Sequence, residues 1–291
     1  MVTNSYTIII DSVSDFPKEL EEKYKVTIVP ARVIIGSEDF LDRVGITREK
    51  FLHEIVHSKE KITTSQPSPK DFHDVFSKTL EETDHILYLG VSHKISATLQ
   101  NATIASKRFK GKITCIDTLS VSLGITMMAH HAILRREQGM ELNPLVDEIK
   151  EMIENTKIYI LVEELKYLLR GGRIGRARHA IGSLLNMKPL LHFVEGEIDV
   201  LKSIRGVEAG YEAMIEEVTR DAQEFGNFVL SGAYGVENNK FERLSKSLKN
   251  KIQPLSYFYE PIGPAVICHV GPNVEALFIT KLPESSIEIY K

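Results

Sequence analysis

Four arginines crowd one short stretch of the sequence, KYLLRGGRIGRARHAIGSLLNMKPLL, residues 166–191. Leu165, Leu168 and Leu169 give it an apolar, helical start. Gly171 and Gly172 then break the pattern, where a backbone can take positive φ or approach a ligand closely. Arg173 follows at once, with Arg170, Arg176 and Arg178 nearby. A second apolar helix is predicted over 180–187, and Pro189 opens a strand. A guanidinium offers a planar fork of donors and the next helix an electropositive N-terminus, so the segment suits an anionic group. The same residues would equally make a helix-loop-helix with a solvated basic loop.

Other polar groups stand where α/β folds bind ligands. The apolar run 6–10 stops at Asp11-Ser12 and turns into a helix over 17–24. In such units the ligand crevice lies at the carboxyl ends of the strands, so Asp11 and Ser12 point at a site. Ser14 or Asp15 also suits the helix N-cap. The run 86–90 likewise feeds VSHKISAT, residues 91–98, ahead of a helix reaching about Phe109. Hydroxyls and backbone N–H groups at such a place converge on an anion. The loop TTSQPSP, residues 63–69, is rich in hydroxyls and stiffened by prolines, and a helix follows over 70–81. His53-Glu54-Ile55-Val56-His57 formally matches the HExxH zinc motif. That chemistry requires a third ligand downstream, and no extension of the motif follows, so a chance match is the preferred reading. Phe51 and Ile55 would then face the core, with both histidines at or near solvent.

These groups need a scaffold. A chain of 291 residues is long for one core, which predicts two domains, 1–156 and 157–291. Four β runs (6–10, 27–35, 86–90 and 112–116) alternate with helices (17–24, 47–59, 70–81, 120–137 and 144–155). That order implies a parallel sheet with helices on both faces. The second half reads as strands at 158–162, 189–194, 198–204, 227–231, 255–259 and 276–281, with helices over 208–225 and 238–250. Net charge of −4 argues against nucleic acid as the main partner. Cys115 and Cys268 lie in apolar contexts and read as buried thiols. No signal peptide and no run of about 18 apolar residues is found, so the expectation is a cytoplasmic protein with no transmembrane segment. Neither G-x-G-x-x-G nor G-x-x-x-x-G-K-[ST] occurs, so no recognised nucleotide loop is present.

Tyr167-Leu168, Gly171-Gly172-Arg173-Ile174, Leu185 and Met187-Lys188-Pro189-Leu190 together resemble the signature of the DegV family. These are fatty-acid-binding proteins that in many bacteria serve as the lipid-carrying subunit of fatty acid kinase. Three further motifs extend the resemblance over essentially the whole chain. Thr64-Ser65-Gln66-Pro67 matches one hallmark. Ser92, Ser96 and Thr98 match a second, with Ala97 in place of glycine. His269, Gly271 and Pro272 match a third, His-x-Gly-Pro-Gly, with Asn273 replacing its last glycine. Arg205 stands at a family arginine, followed by Gly206 rather than threonine, and Glu275-Ala276 replace Leu-Gly.

The resemblance implies an N-terminal three-layer α/β/α domain with a mainly parallel sheet and a C-terminal α/β domain with a mixed sheet, the ligand between them. It implies that Thr64 and Ser96 hold a fatty-acid carboxylate, with Ser12, Arg173, Arg205 and His269 as further pocket or kinase-facing residues. A separate ATP-binding kinase would dock and phosphorylate the bound acid to an acyl phosphate. No catalytic residue, metal or cofactor is then expected in this chain, and transient membrane contact would serve lipid exchange. Hydrogen bonds to a charged acceptor contribute about 1.5–3 kcal/mol each. Burying about 14 methylenes gains up to ~11 kcal/mol before binding costs. The tail would thus supply affinity and the hydroxyls orientation. Three alternatives stand beside this: a carrier with no kinase partner; a phosphoryl-transfer enzyme, since the family's fold resembles part of dihydroxyacetone kinase; and a zinc hydrolase using His53 and His57. The missing nucleotide loop argues against the second.

Overall fold

The computed structural model describes residues 5–184 and 188–290. In chain order the N-terminal half contains β1 (Tyr6–Asp11), α1 (Lys18–Tyr24), β2 (Thr27–Val29), β3 (Arg32–Ile35), β4 (Glu38–Leu41), α2 (Arg48–His57), β5 (Ile62–Ser65) and α3 (Pro69–Thr79). It continues with β6 (His85–Gly90), α4 (Thr98–Ser106), β7 (Ile113–Asp117), α5 (Leu123–Glu137) and α6 (Leu142–Glu154). Ile8, Ile9 and Ile10 are buried in succession, as a strand covered on both faces requires. β1 lies inside a parallel sheet of order β2-β1-β6-β7.

The stretch 27–35, expected as one strand, is two. Pro30 has no N–H to donate and interrupts the ladder. β2 stays in the parallel sheet, while β3 turns away into a three-stranded antiparallel sheet of order β4-β3-β5. Gly36, with φ of 59°, makes the tight turn between β3 and β4. Thr64, expected in a loop, is therefore on a strand, paired with Val33.

The C-terminal half contains β8 (Thr156–Val162), α7 (Lys166–Gly171), β9 (Lys188–Val194), β10 (Glu197–Ile204), α8 (Val207–Phe225), β11 (Phe228–Tyr234), α9 (Asn239–Ile252), β12 (Ser256–Pro261), α10 (Pro264–Val270) and β13 (Val274–Lys281). Its strands form a mixed sheet of order β10-β9-β8-β13-β11-β12, in which only β11 and β12 run parallel. Side chains alternate across it. Tyr159, Leu161, Leu277 and Ile279 pack under α8 and α9. Ile158, Ile160, Ala276 and Phe278 face the other way and join the cluster that includes Ile8 and Ile10 of β1. Between the sheets runs α5, against β1 and β6 on one side and β11 and β13 on the other. A helix so placed must be apolar all round, and residues 123–129 are all buried.

The helix expected over 180–187 differs. Residues 175–184 form a 3-10 stretch, and Leu185 and Met187 lie outside the described residues. Gly172 (φ 71°) ends α7, and Gly175 (φ 56°) sits against the Ile198 backbone on β10, so the chain re-enters along that strand. The result is an α/β fold of one parallel sheet, one mixed sheet and a small antiparallel one. No helix among the described residues is long and apolar enough to cross a membrane.

Candidate functional site

A cavity of about 900 Å³, counted to its open side, lies where the carboxyl ends of β1 and β6 face the mixed sheet. Ile160, Phe193, Ile198, Ala276 and Phe278 supply an apolar wall from the mixed sheet. Val13, Val91, Ile95 and Val121 supply the facing wall, and Leu168, Val266 and Val270 come from α7 and α10. Thr64, Ser65, Gln66, Ser96, Thr98, Arg173 and His269 add the polar groups.

Thr64 and His269 meet directly, Oγ1 to Nε2, at 2.7 Å. Burial pushes the imidazole pKa down to about 4, helped by the Arg173 and Arg170 charges, so His269 is neutral near pH 7. Its Nδ1 is buried with no hydrogen-bond partner among the described residues and lies against Gly171, where a Cβ would collide with it. The glycine pair thus does two separate jobs: Gly171 admits the imidazole, and Gly172 takes the left-handed turn.

Arg173 is tied to both halves. Its Nε donates to Ile95 O at 3.0 Å and its Nη1 to Gly171 O at 2.6 Å. Ser96 shares a 2.8 Å hydrogen bond with Thr98 Oγ1, and its Oγ accepts from Thr98 N–H at 3.2 Å, at the start of α4. Ala97 has φ of −83°, so the local turn does not require the glycine it replaces.

The other two residues lie elsewhere. Ser12 is buried beneath the cavity, and its Oγ accepts from Ala31 N–H at 3.0 Å. It holds the backbone at Ala31, which does line the cavity. Arg205 is exposed at the end of the edge strand β10, on a shallow cleft with Lys202, Glu212 and Glu216. Thr64, Ser96, Arg173 and His269 are therefore brought to one cavity, while Ser12 and Arg205 are not.

His53 and His57 are exposed side by side on α2, while Phe51 and Ile55 are buried. No group of three or more potential metal ligands occurs among the described residues. Of the carboxylates under the site, sequence reasoning points at Asp11 but misses the roles of Asp15 and Asp42. Asp11, Asp15 and Asp42 are buried together, and burial raises them to about 6, 7 and 6 respectively. In the sequence Asp15 is only one of two candidate helix caps, beside Ser14, and nothing local distinguishes Asp42.

The family model described as uncharacterised protein, DegV family, matches residues 5–282. A DegV domain-containing protein of Clostridium perfringens is 31% identical over 273 residues, 93% of this chain and 96% of the relative. A fatty-acid-binding DegV family protein from Thermus thermophilus is 30% identical, with a TM-score of 0.91, over 96% of this chain and all of that one. A Thermotoga maritima protein described as having a fatty acid binding function is 26% identical, with a TM-score of 0.81, over 96% of this chain and 99% of that one.

Proposed function

The chain belongs to the DegV family, and on that footing we propose that it binds a long-chain fatty acid, its carboxylate at Thr64 and Ser96 and its tail along the apolar walls. We further read residues 1–156 and 157–291 as two domains that hold the ligand between them. The observation that carries this is convergence: Thr64, Ser96, Arg173 and His269 come from four separate segments to one cavity whose remaining walls are largely apolar. The solved relatives described as fatty-acid-binding support the same reading.

Neutral His269 gives the headgroup site a direction. With the proton on Nε2, the imidazole donates to Thr64 Oγ1, which frees the threonine O–H to donate to a carboxylate oxygen. Arg173 adds a positive charge on the same wall without being free to wander, because two backbone carbonyls hold it.

The role proposed is presentation. A separate ATP-binding kinase docks, a carboxylate oxygen attacks the γ-phosphorus, ADP leaves, and an acyl phosphate results. Arg173 and His269 face that partner from the cavity, and Arg205, exposed outside it, serves docking. The chain exchanges its lipid by transient contact with a membrane.

Mass spectrometry of an organic extract of the purified protein tests the first step. Fatty acid in stoichiometric amount is expected, and a protein free of acyl chains that also takes up none would overturn it. For the second step, Arg173→Ala should retain lipid but lose phosphorylation in a reconstituted assay. Equal loss of both would reject the division of labour.

A further inference from the structure

Helix α10 carries His269 in its last turn and puts Val266 and Val270 on the cavity wall, so its placement sets the polar end of the cavity. At its start Gly263 and Ala265 each carry an N–H group with no intrahelical acceptor, while Pro264 between them has no N–H. Gly263 N–H donates to Asp15 Oδ1 at 2.8 Å, and Ala265 N–H donates to Asp42 Oδ1 at 3.1 Å. Both carboxylates are buried, belong to the N-terminal half, and stand outside the cavity lining. Ser122 Oγ donates to the other oxygen of Asp15 at 2.5 Å and holds it in place.

Asp42 follows β4, and Thr64 is on β5, both strands of the same small antiparallel sheet. That sheet therefore grips α10 twice, through Asp42 at its start and through Thr64 on His269 at its end. A seven-residue helix is about 10 Å long, so a rigid tilt of about 10° moves its far end by roughly 1.7 Å. The 2.7 Å bond between Thr64 and His269 would not survive that shift.

We propose that Asp15 and Asp42 are positioning residues for the headgroup site: by capping α10 they set the contact between His269 and Thr64, and through it the aim of the threonine O–H. This rests on the fatty-acid reading above. The test compares binding of a sixteen-carbon acid with binding of its methyl ester, which has the same tail and no carboxylate. Asp42→Ala should lower the preference for the acid by about tenfold or more, the loss of one hydrogen bond to a charged group. Asp42→Asn keeps an oxygen acceptor and should hold that preference within about threefold of the parent. Equal loss on acid and ester, or no rescue by asparagine, overturns the proposal.

A lipid-free readout separates the two ideas. The ring ¹⁵N resonances of His269 should move in Asp42→Ala and stay in place in Asp42→Asn. Unchanged resonances in the alanine variant overturn the positioning role, whatever the protein binds. If the parent binds neither acid nor ester, the fatty-acid reading is what fails, and the imidazole signal still decides the positioning. Should Asp42→Ala not fold, Asp15→Ala and Asp15→Asn give the same comparison at Gly263.

Discussion

Two buried acidic clusters sit near opposite ends of α5, and they are built in opposite ways. Far from the cavity, Glu148 of α6 accepts from Arg135 Nε at 2.7 Å, from His131 at 2.9 Å and from Ser285 Oγ at 2.5 Å. Arg135 Nη2 also reaches both Glu148 and Ser285. Burial alone would push Glu148 up, but these donors outweigh it and hold the carboxyl far below its ordinary range. Tyr290 completes the cluster through a 3.1 Å bond to His131, which straps the C-terminal segment onto α5 and α6.

Beneath the cavity the balance is reversed. Asp11, Asp15 and Asp42 receive neutral donors and stay raised: Tyr88 O–H and Val91 N–H at Asp11, Ser122 O–H and Gly263 N–H at Asp15, and Ser12 O–H and Ala265 N–H at Asp42. Arg43 is near enough to lower Asp15 and Asp42, yet its Nη2 bonds Phe16 O at 2.6 Å and lies 3.6 Å from Glu21. The lesson is that one cluster neutralises its charge to hold the fold. The other keeps raised carboxylates, two of which, Asp15 and Asp42, accept backbone N–H groups at the start of α10.

The largest expected effect breaks the compensated cluster. Arg135→Ala leaves Glu148 buried without its cation and should destabilise by about 3–5 kcal/mol, read by denaturant unfolding. Lipid bound per folded molecule should stay as in the parent. Gly171→Ala probes the cavity side. The added methyl displaces His269, so binding of a fatty acid should weaken about tenfold. Stability should fall by only about 1–3 kcal/mol, because one side chain is overpacked. Unchanged affinity would separate His269 from the headgroup.

The smallest effect distinguishes the clusters by pH. The folded-state pKa of Asp15 is raised to about 7 from an ordinary value near 3.8, so the folded chain binds the extra proton between those values. Its contribution to stability therefore declines as pH rises from about 4 to 7 and stays low above that. Glu148 is depressed, so its contribution is already complete above its ordinary value and is lost only in acid. Between pH 5 and 8 the Tm of Asp15→Asn should rise relative to the parent by at least about 2 °C. Glu148→Gln should show no such trend across that window.

Much of this molecule could be read along the chain. Strand periodicity marked β1, β6, β7 and most of the second half, because a side chain's face is decided by its immediate neighbours. The glycine break, Thr64, Ser96 and His269 stood out through short motifs whose members lie within a few residues of one another. Folding in space decided the rest. Pro30 sent β3 into a second sheet and so turned Thr64 from a loop residue into a strand residue facing His269, 205 positions away. Arg205 stayed on an edge strand outside the cavity, and Ser12 went under it. Asp15 and Asp42 found their donors 248 and 223 residues along the chain. An aspartate carries no local mark of a partner that far away. Only the packing of α10 between the two halves, which buries both donor and acceptor, makes those bonds obligatory.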